Sequence, residues 1–442
     1  MRFSIAGAVL FLVATTVAQT KTETKTSHPS TKGTASKTVD WKAVHQSAIV
    51  IDTHADTPGR FTDEHFDPSN DAGFGHWDIA RAKKGNLGAE FFSIWVDPDK
   101  FKGQYVQRAL RMIDSVYQTV ATHPKDMVMA YSAEDIRKAR TGPHKRIAIL
   151  MGLEGGHPID GDMGLLRDYY RLGVRYMTLT WANSLDWAQS SGDLKKDENG
   201  KLIDPGLTEY GRKIVMEMNR IGMIVDISHV SDRSFFNALT ASRAPVIASH
   251  SSARALTDVP RDMTDDMLVA LSRNNGVVMV NFNCGFISDK YNRQSEQFQK
   301  DHPEEMKKLH ELAEQYKEGK IDENQLQDYE EQLTKQVPRP PLSDLIDHID
   351  HIAKVAGVEH VGIGSDFDGV NCLPQGINSV ADLPKITQAL ADRGYTAKQL
   401  QMILGENLLR VFSDVEKTAR EIQSERNADK REVVPLPPAA KQ

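Results

Sequence analysis

The sequence is poor in the features that define several large classes of protein. Only 2 of its 442 residues are cysteines, which excludes a disulfide-rich scaffold. The formal net charge of −7 and the pI near 6.1 provide no electrostatic footprint for nucleic acid or for an anionic membrane. We find no HExxH pair, P-loop, GxSxG elbow or GxGxxG turn that opens a helix after a strand. The hydrophobic content of 40% nevertheless allows a large buried core.

The N-terminus has the composition of a signal peptide. Residues 1–18 combine one basic residue, an apolar run from about Ile5 to Val13 and a small-residue site that ends at Ala18. The alternative, an N-terminal membrane anchor, needs about 20 apolar residues. We therefore predict an exported protein, periplasmic or secreted, without a stable membrane anchor after cleavage.

Polar, low-complexity segments flank the predicted folded domain on both sides in the sequence. Residues 19–40 form a low-complexity linker rich in Thr, Ser and Lys, and residues 426–442 form a short, proline-rich flexible tail. The predicted folded domain covers residues 41–425. Within it, residues 288–340 are too charged for a core and predict a solvated helical insertion.

Eight apolar runs alternate with helical patterns along this domain. Such alternation indicates parallel β/α units, and eight of them predict a (β/α)8 barrel of the TIM type. The insertion follows the seventh run. In chain order the runs are AIVIDTH, GAEFFSIWV, RIAILMGLEGG, VRYMTLTW, IVDIS, PVIAS, GVVMVNFN and HVGIGSDFDG.

The fifth and sixth runs each lead into a histidine, His229 and His250. The amphipathic segment SDRSFFNALTAS separates them, so the stretch predicts a right-handed βαβ unit with parallel strands. Both histidines then lie at the carboxyl edge of the sheet, where barrels of this kind carry their chemistry.

Other side chains that bind metals also fall at predicted strand ends. A single histidine there is more often structural, but six such side chains are difficult to attribute to chance. Three imidazoles with carboxylates suit zinc or a similar metal, and they are too many for one tetrahedral ion. A carboxylate such as Glu154 can bridge two ions. The six are His54, Asp56, Glu154, His229, His250 and Asp366.

The motifs around these residues resemble one known family, the membrane (renal) dipeptidases or M19 metallopeptidases. The resemblance runs from about residue 45 to 415, with the motifs in order. They are D-T-H-A-D, L-E-G-G-H-P-I, Y-M-T-L-T, D-I-S-H-V, I-A-S-H-S-S-A-R, G-S-D-F-D-G and E-N-L-L-R-V-F.

The resemblance implies two Zn2+ ions per chain. His54 and Asp56 would hold one ion, His229 and His250 the other, and Glu154 would bridge them. It further implies a zinc-dependent dipeptidase in which a metal-bridging hydroxide attacks the amide bond of a small dipeptide. A homodimer is also implied.

Two further residues receive roles from the resemblance. Arg261 would bind the substrate carboxylate, because a guanidinium suits that group bidentately. Asp366 would face the bridging water and the substrate amino group and move the proton to the leaving amine. Asp368 is the rival for this second role.

One position departs from the family pattern. Trp181 stands where the family commonly has a histidine that contacts the substrate carbonyl oxygen. An indole N–H donates a hydrogen bond but cannot carry positive charge, so we expect Trp181 or Asn183 to contact substrate instead. This leaves two alternatives open: a two-metal hydrolase of other small carboxylate-bearing amides or lactones, and a catalytically weakened metal-binding protein.

The two cysteines and His157 keep two interpretations at this stage, and two other histidines receive one. Cys284 and Cys372 follow late strands that are neighbours in a barrel, so they either pair in an oxidising compartment or stay as buried thiols. His157 either orients a ligand or belongs to a loop. His348 and His351 lie on a predicted helix and are interpreted as structural.

Overall fold

Parallel strands form the centre of the protein. The computed structural model describes residues 39–70, 73–141, 144–321 and 323–428. Eight strands pair in the order β1-β2-β4-β5-β8-β9-β10-β11, β3 pairs with the start of β4, and β6 and β7 form a separate hairpin. The strands are β1 (Val50–Ala55), β2 (Leu87–Trp95), β3 (Met127–Met129), β4 (Ile147–Glu154), β5 (Val174–Thr178), β6 (Lys195–Lys196), β7 (Leu202–Ile203), β8 (Ile224–Asp226), β9 (Ile247–Ser251), β10 (Val277–Val280) and β11 (Val361–Ile363).

The sheet closes where the last strand meets the first. Ala55 forms a parallel bridge with Phe367, and the Asp56 amide donates to the Phe367 carbonyl at 2.8 Å. The Asp366 amide donates to the His54 carbonyl at 3.0 Å. The predicted (β/α)8 barrel is confirmed.

Helices cover the outside of the barrel, and several begin at a Ser, Thr or Asp whose side chain accepts a backbone N–H. No helix in the described ranges is long and apolar enough to cross a membrane. The helices are α1 (Trp41–Ser47), α2 (Thr57–Asp63), α3 (Ile79–Lys84), α4 (Tyr105–Thr122), α5 (Ala133–Ala139), α6 (Met163–Arg171), α7 (Glu209–Ile221), α8 (Asp232–Ala241), α9 (Asp265–Arg273), α10 (Cys284–Ile287), α11 (Asp289–Asp301), α12 (Pro303–Lys317), α13 (Glu323–Thr334), α14 (Leu342–Ala356), α15 (Leu383–Asp392), α16 (Ala397–Gln401) and α17 (Asn407–Ala428).

The barrel strands are buried on both faces, which explains their nearly continuous apolar sequences. The interior of the amino-terminal end is filled by side chains such as Phe91 and Tyr176. Helix α17 packs Leu408 and Phe412 against them. The opposite, carboxyl-terminal end of the barrel carries the polar residues.

The charged segment after β10 forms the three helices α11, α12 and α13. Helices α12 and α13 pack through a small core of their own, which includes Leu309 and Leu333. Lys100, from the loop after β2, lies 3.7 Å from the Tyr316 ring centroid. The insertion thus contacts a loop at the carboxyl end of the barrel.

The two cysteines are joined. Cys284, at the start of α10, forms a disulfide with Cys372, which follows β11, with a Cα–Cα distance of 5.4 Å. The Cys284 amide also donates to the Cys372 carbonyl at 3.1 Å. The disulfide links the loops that follow two neighbouring barrel strands.

Candidate metal centre

The closure of the barrel brings three predicted site residues together. His54 is in β1, Asp56 directly follows it, and Asp366 follows β11. His54 Nε2 lies 3.5 Å from Asp56 Oδ2 and 4.0 Å from Asp366 Oδ1. All three side chains are buried. We call these three residues the carboxylate side.

The βαβ unit supplies two more. His229 follows β8 and His250 is in β9, with 2.9 Å between their Nε2 atoms. His229 adopts φ +66, a left-handed backbone that non-glycine residues seldom adopt and that occurs at functional turns. We call these two residues the imidazole side.

Glu154, the last residue of β4, lies between the two sides. Its Oε2 is 3.3 Å from His54 Nε2, while its Oε1 is 3.0 Å from His229 Nε2 and 3.5 Å from His250 Nε2. Ser93 donates to Oε2 at 3.0 Å. Each carboxylate oxygen therefore faces a different side.

Hydrogen bonds on the outer nitrogens set the tautomers of two histidines. Tyr176 donates its hydroxyl proton to the Thr53 carbonyl, so it accepts from His54 Nδ1 at 2.8 Å. Ser249 donates to Asp226 and accepts from His250 Nδ1 at 2.8 Å. With Nδ1 protonated, a neutral imidazole presents the Nε2 lone pair to the cluster.

The surroundings keep the imidazole side neutral. Burial, and after it the Arg261 guanidinium, lower the pKa of His229 to about 3. Burial and His54 lower the pKa of His250 well below its usual value. Burial would raise the pKa of Glu154, but contacts with His54, His229 and His250 bring it well below the usual value.

These atoms fit a metal site. His54 Nε2, Glu154 Oε1 and Asp366 Oδ1 are buried without a hydrogen-bond partner among the described residues. Lone pairs and carboxylate oxygens that converge in a buried space need a cation between them. Two groups have donor atoms within 4.8 Å of one another: His54, Glu154 and His250, and His54, Asp56 and Asp366.

Comparison with protein families agrees with this chemistry. The model of the membrane dipeptidase family, peptidase family M19, matches residues 39–426. The chain belongs to this family. The resemblance found in the motifs is confirmed, and the predicted metallo-dipeptidase type of enzyme is confirmed at the level of the family.

Relatives cover most of this M19 chain. Dipeptidase 3 of Homo sapiens is 32% identical over 405 residues, which span 90% of this chain and 72% of the relative. An uncharacterized dipeptidase of Schizosaccharomyces pombe is 33% identical over 400 residues, which span 86% of this chain and 84% of the relative.

Solved structures share the fold. The probable dipeptidase PvdM from Pseudomonas aeruginosa has a TM-score of 0.72 at 23% identity, covering 86% of this chain and 98% of its own. A metallo peptidase from Rhodobacter sphaeroides, liganded with a phosphinate mimic of the dipeptide L-Ala-D-Ala, has a TM-score of 0.66 at 22% identity, covering 84% and 100%.

Arg261 in this M19 protein lies beside the imidazole side. Its guanidinium donates to the Ser251 hydroxyl and to the His250 carbonyl, both at 2.6 Å. Nε is buried without a hydrogen-bond partner in the described part of the chain. These two bonds use one N–H on each of the two Nη nitrogens, and the second N–H on each can bind a ligand.

Trp181 is half-buried near the imidazole side, with its ring centroid 6.3 Å from that of His229. Its indole meets Trp95 edge to face at 5.0 Å. Asn183 is half-buried nearby in sequence, and its Oδ1 has no hydrogen-bond partner in the ranges described. The structure thus places Trp181 in the predicted region, and the substrate contacts of both residues stay predictions.

The two aspartates of the DFDG turn point in different directions. Asp366 Oδ1 faces His54 in the cluster. Asp368 instead accepts from the His76 amide and the Thr57 hydroxyl. The geometry therefore favours Asp366 over its rival.

His157, for which two interpretations were open, and the two histidines interpreted as structural lie outside the cluster. His157 Nε2 bonds the Val96 carbonyl at 2.7 Å, so it braces a loop and does not bond Glu154 directly. His348 accepts from the Ala253 amide, and His351 pairs with Asp265.

Sequence reasoning did not identify the residues that orient the ligands. Tyr176 lies within the quoted Y-M-T-L-T motif, and Ser93, Asp226 and Ser249 lie inside predicted strands. Their signal is a polar side chain in an otherwise apolar strand, which alone does not reveal its partner.

Proposed function

We propose that this protein is an exported dipeptidase that uses two divalent ions of the zinc type. The observation that carries the proposal is the position of Glu154, whose two oxygens face opposite sides of one buried cluster. A carboxylate placed in this way suits two ions that share a ligand.

Each side of the cluster would hold one ion. His54 and Asp56 would bind the first, His229 and His250 the second, and Glu154 both. This mixture of imidazole nitrogens and carboxylate oxygens suits zinc. Bound by these residues, the ions would supply Lewis-acid chemistry, which acidifies a water and polarises a carbonyl group.

Arg261 would position the substrate. Its remaining N–H groups suit a carboxylate, and its bonds to Ser251 and to the His250 carbonyl fix its distance from the imidazole side. A carboxylate bound there places the preceding amide bond close to the cluster. This arrangement favours dipeptides over long chains, because the C-terminus must lie beside the reacting bond.

Asp366 would move the proton. Burial raises the pKa of Asp366 to about 7, so its carboxyl can both take and release a proton near neutral pH. Its Oδ1 has no hydrogen-bond partner among the described residues and faces the cluster. A proton taken at Oδ1 can pass to the leaving amine.

Trp181 would shape the other side of the site. Its indole and Trp95 form an aromatic wall next to His229. An indole cannot stabilise developing negative charge with a positive charge of its own. We therefore propose that this enzyme turns over simple dipeptides more slowly than a protein with a histidine at this position.

Export remains part of the proposal. The predicted signal peptide and most of the linker lie outside the described residues, as does most of the tail. The disulfide between Cys284 and Cys372 supports an oxidising compartment, since such bonds are rare in the cytosol. The homodimer stays a prediction from the resemblance.

Metal analysis and a peptide library test the proposal. Protein without residues 1–18 should bind two ions per chain and hydrolyse some members of a library of L,L and L,D dipeptides. L,D members are included because the related Rhodobacter sphaeroides structure holds an L-Ala-D-Ala mimic. Metal-loaded protein that hydrolyses none of them would support the weakened metal-binding alternative.

Arg261→Ala distinguishes a dipeptidase from other two-metal hydrolases. We expect KM for dipeptides to rise by roughly 10²-fold, the cost of losing a charge-assisted pair. Arg243→Ala is a matched control, since Arg243 is an exposed residue paired with Glu425. The lactonase alternative predicts a different result. Wild type and Arg261→Ala would then hydrolyse a lactone equally well, and neither would hydrolyse dipeptides.

A further inference from the structure

Asn281 joins the loop after β10 to the proposed proton carrier. It lies one residue after β10 and its side chain is fully buried. Its Nδ2 donates to Asp366 Oδ2 at 2.9 Å. No role follows for it from the motifs.

The orientation of the Asn281 amide is determined by a second bond. The Asn283 backbone N–H donates to Asn281 Oδ1 at 2.7 Å. A backbone N–H is only a donor, so the amide oxygen must face Asn283 and the NH2 group must face Asp366. The side chain thus cannot rotate by 180° without losing both bonds.

Asp366 is consequently held at three points. Its backbone N–H bonds the His54 carbonyl, its φ of +65 turns the chain sharply, and its Oδ2 accepts from Asn281. Within the described part of the chain, Oδ1 is the carboxylate oxygen without a hydrogen bond, and it lies 4.0 Å from His54 Nε2.

The disulfide holds the two loops in register. Cys284 lies three residues after Asn281, and Cys372 lies in the loop after β11, which also carries Asp366. The bond between the Cys284 amide and the Cys372 carbonyl adds a second link. The donor and the acceptor are therefore carried by loops that are fixed relative to each other.

We infer that Asn281 is a positioning residue that clamps Oδ2 of Asp366 and so directs Oδ1 toward the reacting bond. The inference rests on the proposed function and names a further residue of the same site. The side-chain hydrogen bonds of Asn281 found in the described residues go to Asp366 and Asn283, and neither is a proposed metal ligand. Its loss should affect turnover more than substrate binding.

Asn281→Asp is the sharpest variant because it keeps the shape of the side chain. Its carboxylate still accepts from Asn283 but turns an oxygen toward Asp366 Oδ2. We expect kcat to fall by roughly 10²-fold, because a small displacement of a reacting group has that effect, while KM changes less than threefold. Metal content should stay at the wild-type level. Asn283→Ala is the matched control: the Asn283 side chain caps α10, and its backbone N–H is unchanged.

The exchanged pair Asn281→Asp with Asp366→Asn separates positioning from folding. The exchange again places one amide donor opposite one carboxylate acceptor, so the melting temperature should be higher than that of Asn281→Asp. The kcat should stay as low as in Asp366→Asn, because the proton carrier is absent. Wild-type kcat in Asn281→Asp would overturn the inference, as would equal changes in kcat and KM or a loss of metal that explains the change.

The same set of variants shows whether the proposed function or the proposed role of Asn281 has failed. If wild-type protein hydrolyses no dipeptide, the proposed function fails, and the melting temperatures alone then decide whether the clamp exists. No recovery in the exchanged pair rejects the clamp.

Discussion

The carboxylate side and the imidazole side of the cluster share Glu154 but differ in charge and in origin. The first combines His54 with the proposed carboxylate ligand Asp56, and the second has two neutral imidazoles. Since attraction for a divalent ion grows with the negative charge around it, we expect the carboxylate side to bind its ion more tightly.

The two sides also depend on different parts of the fold. His229 and His250 are 21 residues apart and belong to one βαβ unit. The carboxylate side needs the first and last strands to meet, as shown by the bond between Ser365 and the His54 carbonyl, 311 residues apart. A local unit can form the imidazole side, whereas only a closed barrel forms the other.

Removing the shared ligand should have the largest effect. We expect Glu154→Gln to lower kcat by roughly 10⁴-fold or more, because both ions lose a charged ligand. Metal content measured after dialysis should fall below two ions per chain. Two ions and near wild-type turnover would contradict the shared role of Glu154.

Removing one ligand from each side tests the difference between them. Asp56→Ala and His229→Ala should each lower kcat by roughly 10³-fold. The reason is that a site with one ion loses the joint action of two ions on the attacking water and the carbonyl group. His229→Ala should hold its remaining ion against a chelator better than Asp56→Ala does. His310→Ala, an exposed residue on α12, is the control. The reverse order of metal retention would refute the electrostatic comparison.

Trp181 lies near the imidazole side, and Trp181→His should raise the turnover of dipeptides. An imidazole can carry positive charge near the developing oxyanion, so we expect kcat for simple dipeptides to rise by about 10- to 100-fold. Steady-state kinetics with Trp181→Phe, which keeps an aromatic ring but no N–H, provide the comparison. A fall in kcat for Trp181→His would show that the indole itself is needed.

Buried histidines outside the cluster should affect only stability. Burial lowers the pKa of His348 to about 4. Above pH 6.5 the folded and unfolded states are both neutral there; as pH falls from about 6.5 to 4 only the unfolded chain takes up the proton, so stability is lost, on the order of 3 kcal/mol.

His348→Asn keeps an acceptor for the Ala253 amide but cannot titrate. The melting temperature of this variant should therefore fall less between pH 6.5 and 4 than that of wild type. His310→Asn, at an exposed position on α12, is the control and should follow wild type. An identical pH dependence in all three proteins would contradict a proton-linked loss at His348.

Much of the site was visible in the sequence because strand ends carry their own signal. Apolar runs that end in His54, Glu154, His229 and His250 indicate ligands at one edge of a parallel sheet. The extra strand β3 and the hairpin β6–β7 were not predicted, since pieces of two or three residues have no periodicity. Residues 71–72, 142–143 and 322 belong to the gaps between the described ranges.

The sequence by itself determined the barrel, the family and the residue types that gather at its carboxyl edge, because alternating apolar runs and motif spacing are local properties. Only the tertiary structure placed Asp366, and not Asp368, against His54, paired Cys284 with Cys372, and turned one oxygen of Glu154 to each side. These depend on backbone turns and on contacts between strands far apart in the chain, and closure of the barrel alone determines the distances across it.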